Sequence, residues 1–179
     1  MYSIFIIHSS QFYERLTTLN GKSGGFYFDH VQRWTKSNSD GAPQDWFDKE
    51  KVFIPINYAK SHWALAVVLM LKKELWYYDS LRSKRTIEKA EESLKPLLLY
   101  LEADWKDKRK EGTFDRRNWS IHLSKTAPLQ KNSDDCGVFT LMYADYLSQD
   151  ETTLPFNQTH MQYFRARIAL SIIEKRIPF

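Results

Sequence analysis

Hydrophobic and polar positions fall along this chain in short blocks, each the length of one strand or helix. The clearest block, Ala64 to Leu71 (Ala-Leu-Ala-Val-Val-Leu-Met-Leu), is nearly continuous in apolar character, the mark of a strand covered on both faces. Before it, Val52 to Asn57 (Val-Phe-Ile-Pro-Ile-Asn) is a β-rich run whose Pro55 favours an edge strand or a bulge. After it, Leu75 to Asp79 follows across only Lys72-Lys73-Glu74, a polar connection that predicts an antiparallel hairpin turning around residues 71–74. From Thr86 to about Lys108, leucines at 94, 97, 98 and 101 form a helical stripe with Lys and Glu opposite. Pro96 falls inside that stripe and should break or kink the helix, or begin a second one. Trp119 to Leu123 reads as another strand, and Asp135 to Leu147 as a helix with Val138, Leu141, Met142 and the aromatics facing inward. A last helix runs from about Thr159 to Lys175, with Met161, Phe164, Ile168 and Ile172 at spacings of three and four. Gly21 to Gly25 and Ser37 to Pro43 read as loops, and Lys106 to Lys110 as a solvated helix end and loop. Met1 to His8 is apolar but lacks a basic start and a small-residue cleavage site, so it reads as the first element of the fold rather than a secretory signal. Strands followed by helices, without regular alternation, give an α+β class.

Composition sharpens this reading. At 179 residues the chain has the size of one domain. Hydrophobic residues at 42% and charged residues at 27% are the ordinary globular mix, which excludes wholesale disorder, a collagen-like repeat or a coiled-coil rod. Aromatics at 15% point to a bulky core or an aromatic-lined groove. No apolar run reaches the ~18–20 residues of a membrane span, so no membrane partner is expected. The net charge of +4 is too small an excess to read as a nucleic-acid footprint. The single cysteine, Cys136, forms no internal disulfide and belongs to no Cys/His cluster, which fits a reducing compartment. His8, His30, His122 and His160 show no metal-ligand spacing and read as structural or surface residues, so neither metal nor cofactor is expected.

The remaining residues carry candidate chemistry. His62 stands at the entry to the second strand and Asp79 at the exit of the third, and in an antiparallel hairpin those positions are neighbours. An Asp beside a His fixes the imidazole tautomer and stabilises its charged form. Cys136 lies in Gln130-Lys-Asn-Ser-Asp-Asp-Cys-Gly137, a polar loop that runs into a helix. A thiol in the first turn of a helix feels the positive end of the helix dipole, which favours the thiolate. Asp134 or Asp135 can cap that helix, Gly137 lets a substrate backbone approach, and Gln130 can offer its amide to an oxyanion. Each piece alone has a plain structural explanation: a lone Cys as a small hydrophobe, Trp63 and Trp76 as core aromatics, and a His-Asp contact as scaffolding.

Together these residues resemble the Ulp/SENP cysteine proteases that process SUMO. The likeness is carried by His62-Trp63 opening an apolar strand, Tyr77-Tyr78-Asp79-Ser80 closing the next, and Gln130 followed by Asp135-Cys136-Gly137. It extends over Arg33 to Lys36, Val52 to Ile56, Lys106 to Glu111 with Phe114-Asp115, Tyr143 to Tyr146, and Phe156 to Arg167, in family order. The resemblance implies a papain-like thiol protease fold, permuted so that the catalytic order is His, Asp, Cys. It implies His62 as base, Asp79 as its orienter, Cys136 as nucleophile and Gln130 as oxyanion donor. It also implies Trp63 as a lid over the Gly-Gly tail of the modifier and Arg33-Trp34 as part of the modifier-binding surface. The implied activity is isopeptidase and C-terminal hydrolase action on SUMO precursors and SUMO conjugates, without cofactor, in an intracellular, nuclear or nuclear-envelope setting. Family catalytic domains begin several dozen residues earlier, with a Trp-Leu-Asn-Asp-like segment. Residues 1–179 are therefore expected to be one catalytic domain that is N-terminally incomplete, and a monomer where the domain is complete. Three alternatives stay open: a protease for NEDD8 or ubiquitin on the same scaffold, an acyltransferase with the same His-acid-Cys order, and a non-catalytic SUMO-binding module.

Overall fold

The apolar run at the centre of the sequence becomes the centre of the sheet. In the computed structural model, which describes residues 5–36, 45–58, 60–83, 86–109, 111–149 and 153–175, five strands form the sheet. Strand β1 (Phe5–Ile7) lies parallel beside β4 (Lys51–Tyr58), and β4 pairs antiparallel with β5 (His62–Leu69). β5 pairs antiparallel with β6 (Glu74–Tyr78), and β6 pairs parallel with β7 (Ser120–Leu123), giving the order β1-β4-β5-β6-β7. The hairpin turns where the polar connection predicts, with Leu69 opposite Glu74 and Leu65 opposite Tyr78. Pro55 sits in β4 past the reach of β1, whose pairing ends at Ile7 opposite Phe53. There, among the described residues, one side of β4 has no neighbouring strand, and a residue without an N–H costs no ladder bond.

Alternation along β4 and β5 assigns two cores. Val52, Ile54, Ile56, Ala64, Ala66 and Val68 face one side, packed with Phe12 and Leu16 of α1 (Gln11–Thr17) and Leu94, Leu97, Tyr100 and Leu101 of α2 (Thr86–Lys108). Phe53, Leu65 and Val67 face the other, against α3 (Cys136–Ser148) and α4 (Met161–Glu174) through Phe139, Met142, Tyr143, Met161 and Phe164. The aromatic excess is largely core rather than groove. Phe12, Trp46 and Tyr100 meet at centroid distances of 4.8–5.3 Å. The buried Trp46 indole donates to His8 Nε2 at 2.7 Å. Burial, helped by the nearby Lys108 charge, pushes the His8 pKa down to about 4 and keeps the ring neutral as an acceptor.

Several sequence expectations need correction. The loop expected at Gly21 to Gly25 begins inside a tight hairpin, β2 (Thr18–Leu19) against β3 (Lys22–Ser23). Its turn is Asn20-Gly21 with both φ positive, at 51° and 77°. That is the backbone a two-residue hairpin requires, and an Asn-Gly pair supplies it. Leu141 and Ile172 are exposed rather than inward, because the faces of α3 and α4 that carry them meet no described neighbour across the groove they line. Lys108 is not solvated: its ammonium lies between Asp104 (2.8 Å), Asp45 (3.3 Å) and Thr35 Oγ1 (3.0 Å). Ser37 to Pro43 lies outside the described residues.

Pro96 neither ends α2 nor begins a second helix; one helix runs through it. A proline in a helix interior costs ~3 kcal/mol. Leu94, Leu97, Tyr100 and Leu101 are fully buried around it, and each contributes roughly 1.5–3 kcal/mol, so packing outweighs the lost backbone bond. Replacing Pro96 by Ala should accordingly raise stability by about 2 kcal/mol, after allowing for the freer unfolded chain. Urea unfolding would measure this, and a lowered midpoint would mean that α2 needs the proline's geometry to pack.

Candidate active site

The sheet delivers His62 and Asp79 to the same end. His62 opens β5, Asp79 follows β6, and His62 Nε2 lies 2.8 Å from Asp79 Oδ1. Both side chains are nearly closed to solvent, at 12% and 3% exposure. Asp79 Oδ1 also accepts the Leu81 N–H at 2.8 Å, and Oδ2 accepts the Tyr77 hydroxyl at 3.3 Å. Burial pushes the Asp79 carboxyl upward. The hydrogen bonds from His62 and Leu81 and the charges of His62 and Lys89 outweigh it, so the group stays below the usual carboxylate range. A carboxylate only accepts, so Nε2 carries the proton toward Asp79. The other ring nitrogen, Nδ1, is buried and has no hydrogen-bond partner among the described residues.

Behind the pair runs a chain of hydroxyls that sequence reasoning missed. Tyr77 Oη lies 2.9 Å from Tyr58 Oη, and Tyr58 meets Ser93 of α2. Burial raises the pKa of both tyrosines, so they remain protonated donors. The Tyr58 ring also lies nearly parallel to His62, at 15°. The sequence signal was present at Tyr77, two residues before Asp79 and therefore on the same side of the strand. At Tyr58 only the register reveals it, because Tyr58 is paired opposite His62.

Cys136 is the first residue of α3 and is 6% exposed. Trp63, next to His62, brings the start of β5 to the start of α3: a Cβ built on Gly137 would lie 3.6 Å from Trp63 Cδ1. Gln130 is held at three points. Its backbone N–H donates to Ser80 O at 3.0 Å, its Oε1 accepts the Ser80 hydroxyl at 2.5 Å, and its Nε2 donates to Asn132 O at 2.6 Å. One amide hydrogen of Nε2 is left for another acceptor. Ser80, adjacent to Asp79, thus ties the amide to the end of β6. Asp135 occupies the N-cap position but makes no side-chain cap, contrary to expectation. Its carboxylate turns instead to Arg165, Gln158 and Asn132.

Arg33 and Trp34 stand apart from this cluster. Arg33 is exposed, and Trp34 is half-buried against Phe12 at 6.0 Å. Their segment, the 3-10 turn Gln32–Thr35, is anchored by Thr35 to Tyr100 and Asp104 of α2. Those residues lie about 10–16 Å along the helix from Ser93. Among the described residues, no helix is long and apolar enough to cross a membrane.

Comparison with known proteins finds relatives over nearly the whole chain. The family description "Ulp1 protease family, C-terminal catalytic domain" fits residues 5–177. Human Sentrin-specific protease 2 is 34% identical over 98% of the chain, and the Arabidopsis thaliana Ubiquitin-like-specific protease ESD4 is 34% identical over 92%. The chain spans 27% and 31% of those proteins' own lengths. Among structures, the C-terminal Ulp1 protease domain in complex with Smt3, the yeast ortholog of SUMO, superposes with a TM-score of 0.70 at 28% identity, over 96% of this chain and 68% of that one. A structure of the SUMO protease Ulp1 with its catalytic cysteine oxidized to a sulfonic acid gives 0.68 at 27% identity, over 96% and 70%. The mixed sheet packed by helices on both faces is their α+β fold, and the chain belongs to the Ulp1 protease family.

Proposed function

We propose that this chain is a cysteine isopeptidase and C-terminal hydrolase that cleaves after the Gly-Gly tail of SUMO, both in precursors and in lysine conjugates. The observation that carries the reading is the His62–Asp79 bond, which orients the ring and leaves Nδ1 as a buried acceptor where β5 meets the first turn of α3. Nδ1 takes the Cys136 proton as the sulfur attacks the carbonyl of the terminal glycine. The oxyanion is met by the remaining Gln130 amide hydrogen and by the Cys136 N–H, which as a first-turn donor has no partner within the helix. His62 then protonates the leaving lysine amine, and a thioester joins modifier and enzyme. His62 next takes a proton from water, which attacks the thioester and releases the glycine carboxylate and the thiol. Asp79 stabilises the imidazolium in both halves. Trp63 against Gly137 supplies a flat wall that suits a tail without Cβ atoms. Exposed Arg33 and half-buried Trp34 suit a rim for the modifier's folded surface. SUMO is favoured over NEDD8 or ubiquitin by the names of the relatives and of the superposed complex. A nuclear or nuclear-envelope location belongs to the same proposal, and immunofluorescence of the native protein tests it.

Cleavage of a SUMO precursor tests the reading directly. Cys136→Ala and His62→Ala should abolish it, and Asp79→Asn should lower it by on the order of 10³–10⁴; full activity in Cys136→Ala would sink the mechanism. Activity should survive EDTA. A SUMO vinyl sulfone should label Cys136 and a ubiquitin probe should not, the reverse assigning the other modifier. Gln130→Ala should lower kcat by ~10²–10³ with little change in KM, whereas an effect confined to KM would remove the oxyanion role. Asp79 also has a readout independent of activity. Its folded pKa is depressed, so its stabilisation is present above about pH 4 and is lost as pH falls through the folded value. The stability gap between wild type and Asp79→Asn, measured by urea titrations, should therefore close on acidification.

A further inference from the structure

The loop that presents both Gln130 and Cys136 has little core of its own. Lys131 to Asp134 are exposed, and only Gln130, Asp135 and Cys136 are buried. The loop is instead gripped from the C-terminal segment. Arg165 of α4 reaches the Asp135 carboxylate with Nε at 3.0 Å and Nη2 at 2.6 Å, and the same Nη2 takes the Asp134 carbonyl at 2.9 Å. Gln158 bridges the two ends of the loop, its Nε2 donating to Asp135 Oδ2 at 2.6 Å and its Oε1 accepting the Lys131 N–H at 2.7 Å. Asn132 closes the cluster, its Nδ2 donating to Asp135 Oδ2 at 2.7 Å and its carbonyl accepting from Gln130 Nε2 at 2.6 Å.

The consequences run to both reacting groups. The Asp135 carbonyl accepts the Phe139 N–H at 2.9 Å, so it opens the hydrogen-bond ladder of α3, and a shift of Asp135 moves the turn that holds Cys136. Through Asn132, the same shift moves the Gln130 amide. There is also a charge argument. Asp135 is 5% exposed and stands one residue before the sulfur. Burial pushes its carboxyl up, and Arg165, Asn132 and Gln158 bring it below the usual range, so it is an anion matched by a guanidinium. Without Arg165 that anion keeps only neutral donors, one residue from the sulfur, and its charge would oppose a negative charge there.

We propose that Arg165 and Gln158 are positioning residues for the reaction, acting through Asp135 and Asn132 to fix Cys136 and the Gln130 amide together and to neutralise the carboxylate next to the nucleophile. The proposal deepens the thiol-protease reading above and rests on it for the roles of Cys136 and Gln130.

The test compares Arg165→Met, Arg165→Lys, Gln158→Ala and the Arg165→Met/Asp135→Asn pair with wild type. The readings are kcat and KM on SUMO bearing a fluorogenic C-terminal leaving group, the rate of Cys136 alkylation by iodoacetamide at pH 7, and thermal unfolding. Arg165→Met should lower kcat at least tenfold with KM within twofold, and should slow alkylation at least fivefold. Lysine, which keeps the charge but loses the fork, should be intermediate, and Asp135→Asn should recover part of the alkylation rate in the Arg165→Met background. A kcat and an alkylation rate both within twofold of wild type, or a loss confined to KM, overturns the proposal. Should Arg165→Met fail to fold, Gln158→Ala, which removes one neutral donor, decides by the same split. Alkylation needs no modifier, so wild type that alkylates but does not cleave SUMO sinks the SUMO-protease reading while the alkylation series still judges the clamp.

Discussion

Burial of β5 on both faces is the constraint from which the site follows. Its alternate residues are committed to two different cores, Ala64, Ala66 and Val68 to one and Leu65 and Val67 to the other. Slipping the register by one residue would exchange them, placing alanines where leucine and valine are needed. The strand is therefore fixed along its length, and His62 and Trp63 at its start inherit that precision. The adjacent β6 is fixed by the same pairing and delivers Asp79. A pair of polar groups held at 2.8 Å needs such a frame, since a hydrogen bond weakens steeply as its angle bends away from linear.

The site is assembled from two halves that belong to opposite cores. His62 and Asp79, the proposed base and its carboxylate, are backed by Tyr77, Tyr58 and Ser93, all on the α2 side. Cys136 and Gln130, the proposed nucleophile and oxyanion amide, are backed by Asp135, Gln158 and Arg165, on the α4 side. The contacts that span the halves are few: Trp63 against Gly137, and Ser80 to Gln130. Trp63 lies at the start of β5 and Ser80 only two residues past the end of β6, so the sheet sets how His62 and Cys136 are brought together.

How much of this was legible in the sequence depended on whether the determinant was local. Ala64 to Leu69 announced a central strand because double burial demands continuous apolar character, whereas Met70 and Leu71, read as part of the same run, form the turn, with Leu71 exposed. The His62–Asp79 contact followed from a hairpin with a short polar turn. A break or a second helix at Pro96 did not follow, because propensity is a local quantity while the packing of Leu94, Leu97 and Leu101 is not. Lys108 read as solvated because, of its partners, only Asp104 is local, while Asp45 and Thr35, which enclose the ammonium with it, lie more than sixty residues away. Asp135 looked like a helix cap, the common use of that residue type, and only the fold brings Arg165 to it and turns its carboxylate aside. The part of α4 that carries Arg165 gave no signal of this, since an exposed arginine on a helix is the ordinary case.

Asp79 and Asp135 show why two buried carboxylates in one site have different partners. Both are held below the ordinary range against the cost of burial. Asp135 is met by a guanidinium, which fixes its charge permanently and cancels much of its field. Asp79 is met by His62, by the backbone N–H of Leu81 and by the Tyr77 hydroxyl. An arginine at that place would stabilise the carboxylate equally well but would oppose the positive charge that the proposed mechanism places on His62. Neutral donors hold the anion while leaving its field available to the imidazolium. In the proposed mechanism the difference follows from what stands beside each carboxylate, because a negative charge near Cys136 would hinder a thiolate whereas one near His62 would sustain an imidazolium.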